Sequence, residues 1–261
     1  MVAEALALPD SALMRHELAY ILGQMQHREL CPELIAILSD ENDDVLVRHE
    51  SAEALGAIGD PSSLEVLQKY CAHPTPEISE TCLIAIDLIQ WKQSEEMNAV
   101  EKSRYFLSED PAPSLTDVQT VEELEAKLMD TNDSHFLRYR AMFSLRDLNT
   151  DASSLALCSG FHDSSALFRH EIAYVLGQMQ RKVTVPALAK VLENKSEHRM
   201  VRHEAAEALG AIGGEEIEEL LGKYQHDEEI VVKESCDVAL DAMEYWSSSG
   251  ETFSIESQAP H

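Results

Sequence analysis

Four His-Glu pairs recur in this chain at regular intervals. The phrases "MRHELAYILGQMQ" and "FRHEIAYVLGQMQ" place His16 and His170 154 residues apart, and "VRHESAEALGAIG" and "VRHEAAEALGAIG" separate His49 from His203 by the same interval. Within each half, the two histidines are 33 residues apart. Histidine and carboxylate side chains are common ligands of transition metals. The pattern therefore indicates two related metal sites.

The spacing suits two histidines that share one ion. Stacked repeat helices have axes about 8–10 Å apart, and a histidine nitrogen binds a metal at about 2.1 Å. The glutamate after each histidine is rotated by about 100° around its helix, so one of the two glutamates in each half is expected to turn toward the same ion. Two histidines and one carboxylate are typical of non-haem iron, although zinc or manganese is also compatible.

Each half then has one glutamate more than the metal set requires. A pseudo-twofold relation between the halves would bring the two sets face to face, and a pair of nearby metals could bind dioxygen. The spare glutamates would suit a positively charged substrate. Gly23 and Gly177 lie seven residues after a histidine, on the same helix face. They indicate either the close approach of a substrate or tight packing between helices.

A repeat signature without chemistry is the alternative interpretation of the pairs. Other residues stand at the histidine position in adjoining repeats, namely Cys82, Tyr139 and Cys236. The framework therefore tolerates other side chains there, which favours a functional role for the histidines. Four residues share a helix face with a histidine four positions earlier and either support it or serve packing: Tyr20, Glu53, Tyr174 and Glu207.

The elements that must position these pairs are predicted to be helices. Apolar residues in "VLVRHESAEALGAIG" recur at helical spacing, and Gly59-Asp60-Pro61 ends the pattern. A second helix follows in "SLEVLQKY", and a third comes after "HPTPEI". Helix-turn-helix units with a period near 33 residues predict an all-α solenoid.

The long repeat predicts two pseudo-symmetric halves joined by a linker. The N-terminal half covers residues 1–92, an acidic linker covers 93–117, the C-terminal half covers 118–246 and a disordered, Ser-rich tail covers 247–261. The first half contains one repeat fewer than the second, because the counterpart of the helix at 136–149 would fall before residue 1.

Composition limits the partners. The chain has 20 basic and 48 acidic residues among 261, for a formal net charge of −28. Such a surface repels nucleic acid and anionic membranes, and it attracts cations and basic proteins. No apolar run is long enough to span a membrane, and the N-terminus lacks the pattern of a signal peptide. The five cysteines form no CxxC motif or disulfide framework, which indicates a cytoplasmic protein.

The four phrases, together with "DPAP" and "RYRAMFSLR", resemble the deoxyhypusine hydroxylase family over nearly the whole chain, up to about residue 246. The resemblance implies a monomeric HEAT-repeat di-iron monooxygenase with two iron ions per chain. Its substrate would be the deoxyhypusine side chain of eukaryotic initiation factor 5A, which it converts to hypusine. Dioxygen would be the co-substrate, and an external reductant of unknown identity would supply electrons.

The resemblance also implies a role for each pair. The ligands of one iron would be His16, His49 and Glu50, and those of the other would be His170, His203 and Glu204. The substrate's amines would contact Glu17 and Glu171. Gly23 and Gly177 are candidate substrate contacts from their spacing after the histidines and not from the resemblance. No catalytic residue beyond the metal ligands is expected. HEAT-like repeats also build non-enzymatic scaffolds and occur in bilin lyases, and in that alternative the pairs would bind a structural metal or a partner.

Overall fold

The computed structural model describes residue 6 and residues 11–99, 103–117 and 119–249. Over these residues the chain forms α-helices joined by turns and short 3-10 helices, and it contains no strand. The all-α class predicted from the sequence is confirmed. None of the helices in the described ranges is long and apolar enough to cross a membrane. Most of the predicted tail, from residue 250 onward, lies outside the described residues.

The chain divides into two compact units. The first contains residues 1–101, 108–117 and 131–140, and the second contains 102–107, 118–130 and 141–261. The boundaries of the halves and the linker derived from the repeat remain predictions.

The first unit is a stack of helix pairs. Its helices are α1 (Ala12–Met25), α2 (Cys31–Ser39), α3 (Val45–Ile58), α4 (Leu64–Tyr70) and α5 (Pro76–Lys92). An inner layer is formed by α1, α3 and α5, each packed against the next, while α2 packs on α3 and α4 packs on α5. This is the layered arrangement of an α-solenoid.

The second unit repeats this arrangement. The remaining helices are α6 (Val121–Leu128), α7 (His135–Leu148), α8 (Asp151–Cys158), α9 (Ala166–Met179), α10 (Val185–Glu193), α11 (Arg199–Ile212), α12 (Glu215–Tyr224) and α13 (Ile230–Ser249). An inner layer of α9, α11 and α13 is stacked in order, with α10 on α11, α12 on α13 and α6 on α8. The first residues of α7, up to residue 140, belong to the first unit.

Polar side chains fix where the histidine-bearing helices begin. Ser11, Asp44 and Ser165 cap α1, α3 and α9 by accepting backbone N–H groups at 3.2, 2.9 and 3.0 Å. A cap of this kind contributes about 1 kcal/mol to stability. Gly59 ends α3 in the left-handed conformation, with φ at 73°, which a residue without a side chain adopts at little cost.

Glycines bring neighbouring inner helices close together. A Cβ atom on Gly23 would lie 2.9 Å from the Cα of Ala54, and one on Gly177 would lie 3.0 Å from the Cα of Ala208. Packing therefore accounts for a glycine at both positions. Contact of Gly23 and Gly177 with the substrate remains a prediction.

We expect Gly177→Ala to lower the melting temperature. The added methyl would press on the Ala208 backbone, and overpacking costs about 1–3 kcal/mol, which exceeds the gain of about 1 kcal/mol from alanine in a helix. Gly222→Ala is the matched control, because Gly222 is an exposed residue of α12 with open space where a Cβ would lie. It should raise the melting temperature. Thermal denaturation of both variants tests the prediction, and an increase for Gly177→Ala would contradict it.

The predicted linker makes specific contacts in the first unit. The Gln24 side chain donates to the Glu109 carbonyl at 3.0 Å and accepts from the Glu109 amide at 2.8 Å. Ala112 is fully buried, and Arg140 Nε donates to the Pro113 carbonyl at 3.2 Å. These contacts hold residues 109–113 against the first unit because the segment buries an apolar residue and satisfies its backbone groups.

Candidate metal centres

Each unit places two histidines on adjacent inner helices. His16 lies on α1 and His49 on α3, and their ring centroids are 5.4 Å apart. His170 on α9 and His203 on α11 are separated by the same 5.4 Å. The interplanar angles are also similar, at 40° and 43°. Each pair is thus close enough to share an ion, as the sequence spacing predicts.

One glutamate of each unit lies beside the histidine of the neighbouring inner helix. In the first unit, Glu50 Oε2 lies 3.2 Å from His16 Nε2. Potential ligand atoms of His16, His49 and Glu50 all lie within 4.8 Å of one another. In the second unit, Glu204 Oε2 lies 3.4 Å from His170 Nε2. Each glutamate reaches the histidine of the neighbouring helix, so it bridges the two helices.

The second unit contains an additional carboxylate near its histidines. Potential ligand atoms of His203, Glu204 and Glu207 lie within 4.8 Å of one another. Glu207 Oε1 is 3.4 Å from His203 Nδ1.

Burial makes these groups suitable for a cation. His49 and His203 are completely buried, and Glu50 and Glu204 are 4% and 6% exposed. Carboxylates removed from water in this way are costly unless a positive charge is nearby. Burial lowers the pKa of His16, but the Glu50 and Glu17 carboxylates outweigh this effect and raise it well above its usual value. The site around His16 in the first unit therefore has a negative potential that stabilises a proton or a metal ion.

The donor set fits iron. Two imidazoles and one carboxylate match the facial triad of non-haem iron sites, which leaves other coordination positions open for substrates. The groups lie on packed helices and not on loops, so their positions are fixed by the core.

The two remaining glutamates lie in different surroundings. The Glu17 side chain is 45% exposed, and its Oε1 lies 3.0 Å from His16 Nδ1. Glu171 is only 2% exposed. The repeat predicts the same role for both residues, but their burial differs.

The arginine before each histidine has a structural role that sequence reasoning missed. Arg48 Nε donates to the Leu38 carbonyl at 3.1 Å, and Arg202 Nε donates to the Leu192 carbonyl at 3.0 Å. Arg202 also forms a bidentate pair with Asp227, at 3.1 and 2.7 Å. These bonds tie α3 and α11 to the ends of α2 and α10. The 33-residue interval between these arginines in each half, Arg15 to Arg48 and Arg169 to Arg202, was visible in the sequence and could have indicated this role.

Arg15 and Arg169, which precede His16 and His170, also form bidentate ion pairs. Arg15 binds both carboxylate oxygens of Asp43, at 2.6 and 2.5 Å, and Arg169 binds those of Glu197, at 3.1 and 2.5 Å. Each Arg-His-Glu sequence therefore combines an arginine that anchors its helix to neighbouring residues with a histidine and a glutamate that can bind a metal or a substrate.

The chain is similar to HEAT-repeat proteins and to proteins named deoxyhypusine hydroxylase. Residues 2–86 and 154–241 match the family model of HEAT repeats. The deoxyhypusine hydroxylase of Drosophila melanogaster is 50% identical over 239 residues, which cover 92% of this chain and 78% of the fly protein. The human enzyme of that name is 47% identical over 236 residues, covering 90% of this chain and 77% of its own length.

A solved structure is also similar. The structure of human deoxyhypusine hydroxylase in complex with glycerol matches with a TM-score of 0.89 and 46% sequence identity. The match covers 94% of this chain and 83% of the human one.

Proposed function

Because the chain belongs to the deoxyhypusine hydroxylase family, we propose that it hydroxylates the deoxyhypusine side chain of eukaryotic initiation factor 5A with the help of two iron ions. The reaction would replace one C–H bond by C–OH. One oxygen atom of dioxygen enters the product, and the other leaves as water with two protons and two electrons from an external reductant. The observation that carries the proposal is the His-His-Glu group present in each unit.

The proposed ligands are divided evenly between the units. His16, His49 and Glu50 would hold one iron, and His170, His203 and Glu204 would hold the other. Iron at these sites would supply the activation of dioxygen. The protein contributes a buried position and helices held in place by the core, so the ligands require little rearrangement to bind.

The substrate side chain carries amines, which are cationic at neutral pH. Glu17 and Glu171 follow His16 and His170 directly and supply the carboxylates proposed to bind them. A charge pair in a partly desolvated site discriminates strongly against a neutral competitor. The formal net charge of −28 would also attract a basic protein substrate. The proposal has the chain acting as a monomer in the cytoplasm, where its five cysteines remain free thiols.

A direct assay tests the proposed activity. The purified chain is loaded with iron(II) and incubated with a reductant, dioxygen and initiation factor 5A that carries deoxyhypusine. Mass spectrometry should detect the gain of one oxygen atom on the modified lysine. The same factor with an unmodified lysine is the control and should not react. Iron-loaded protein that leaves deoxyhypusine unchanged would refute the proposed reaction, and a chain that binds no iron would favour a scaffold.

A further inference from the structure

A hydrogen-bonded chain of three side chains leads to one histidine of the second unit. His203 is completely buried, and its Nδ1 lies 3.4 Å from Glu207 Oε1. The same carboxylate oxygen accepts a bond of 2.8 Å from Ser235 Oγ. Ser235 is itself completely buried and lies on α13, the next inner helix. The chain therefore links the histidine on α11 to the neighbouring helix.

The first unit has different contacts at the corresponding positions. Glu53 stands four residues after His49, and Thr81 stands where the second unit has Ser235. Thr81 Oγ1 donates to the Glu77 carbonyl of its own helix at 2.7 Å. Glu53 lines a small cavity with Thr81 and Pro111, among other residues.

Both types of hydroxyl can bond the carbonyl four residues earlier in a helix, as those of Ser51 and Thr81 do. A threonine in a helix commonly bonds its hydroxyl to the carbonyl four residues earlier, and its branched Cβ restricts the alternatives. The hydroxyl of Ser235 instead crosses to the neighbouring helix and holds Glu207. Glu207 is therefore held by a hydroxyl of the neighbouring helix, whereas Glu53 lies beside a cavity.

A carboxylate in this position orients a metal ligand. A histidine that binds a metal through one ring nitrogen usually donates the N–H of the other to a carboxylate, a carbonyl or water, which fixes the ring and its tautomer. The contact of Nδ1 with Glu207 implies that His203 would use Nε2 for the metal. At 3.4 Å the contact is longer than the range of about 2.7–3.2 Å typical of N–H···O hydrogen bonds.

We propose that Ser235 and Glu207 position the His203 ring for metal binding in the second unit. Glu207 is a positioning residue in this account and not a ligand. The inference rests on the proposed function, because it takes His203 to be an iron ligand. It assigns an orienting role to a carboxylate on α11 and a hydroxyl on α13.

The experiment measures iron(II) affinity at one site at a time. In a His49→Ala background only the second site should remain, and anaerobic titration against a competing chelator gives its Kd. Glu207→Ala should raise this Kd by about 10–100-fold, the usual effect of losing an outer partner of a metal ligand. Glu207→Gln keeps an oxygen acceptor and should raise it by less. Ser235→Ala should also raise it, while the melting temperature of each variant controls for folding.

The matched control is Glu53→Ala in a His203→Ala background, in which only the first site remains. This variant should change the Kd of the first site by less than about 3-fold, well below the 10–100-fold range for an outer partner. If Glu207→Ala leaves the Kd of the second site unchanged while iron still binds, the inference is wrong and the proposed function stands. If Glu207→Gln loses iron as completely as Glu204→Ala, Glu207 is a ligand and the positioning role is wrong. If the parent protein binds no iron, the proposed function itself fails.

Discussion

Replacing His49 with alanine is expected to remove one of two bound iron ions and to slow hydroxylation by at least about 100-fold, because the chemistry of a bound metal contributes several kcal/mol to lowering the barrier. The remaining two groups, His16 and Glu50, would leave the ion under-coordinated. The iron content per chain, measured by inductively coupled plasma mass spectrometry, should fall by half. The helical circular dichroism signal should persist, since the corresponding position in α5 is Cys82, which is fully buried in a helix.

His27→Ala provides the control for this prediction. The His27 side chain is 53% exposed and contacts Glu29 at 3.0 Å, away from the buried pairs. It should keep both iron ions and full activity. Retention of iron by His49→Ala together with loss of helical structure would show that the histidine serves the fold and not a metal.

The four glutamates of the His-Glu pairs are expected to separate into two classes. Glu50→Ala and Glu204→Ala should each lose one iron ion, because each of these carboxylates reaches Nε2 of the histidine on the neighbouring inner helix, at 3.2 and 3.4 Å. Glu17→Ala and Glu171→Ala should keep iron and weaken the binding of the deoxyhypusine-bearing protein. Loss of one partner of a buried charge pair costs about 2–5 kcal/mol in binding, so the Kd should rise by at least about 10-fold for the buried Glu171. Metal analysis and a binding titration on all four variants test this division.

Burial indicates which substrate carboxylate should matter more. Glu171 is 2% exposed, whereas the Glu17 side chain is 45% exposed and more strongly screened by solvent. Glu171→Ala should therefore weaken binding more than Glu17→Ala. If Glu17→Ala loses iron as completely as Glu50→Ala, the division into ligand and substrate carboxylates is wrong. Added salt should weaken association of the wild-type protein, because the attraction to its acidic surface is screened.

The sequence alone predicted the elements and the residue pairs because both depend on short periods. Apolar spacing placed α3 to within a residue of its observed range, Val45–Ile58, and the 33-residue period placed His16 and His49 on neighbouring helices. Helical geometry did not decide which of the two glutamates in each unit turns toward the ion that the two histidines would share. That depends on how α1 and α3 are rotated about their axes, which is fixed by packing contacts such as Gly23 against Ala54.

Other features required three-dimensional contacts that no period reveals. Ser235 and Thr81 occupy equivalent positions and differ by one methyl group, yet only Ser235 reaches a carboxylate on the neighbouring helix. The acidic, Pro-containing linker gave no sign in the sequence that Gln24 would bind the backbone of Glu109. Side-chain bonds between residues more than 80 positions apart depend on the packed structure.

The central claim is that each unit holds one iron ion between its two histidines. Anomalous diffraction at the iron absorption edge, from crystals of active protein, tests it most directly. We expect two peaks per chain, one about 2.1 Å from nitrogens of His16 and His49 and the other at the same distance from nitrogens of His170 and His203. A single peak, no peak, or iron bound elsewhere in protein that hydroxylates deoxyhypusine would contradict it.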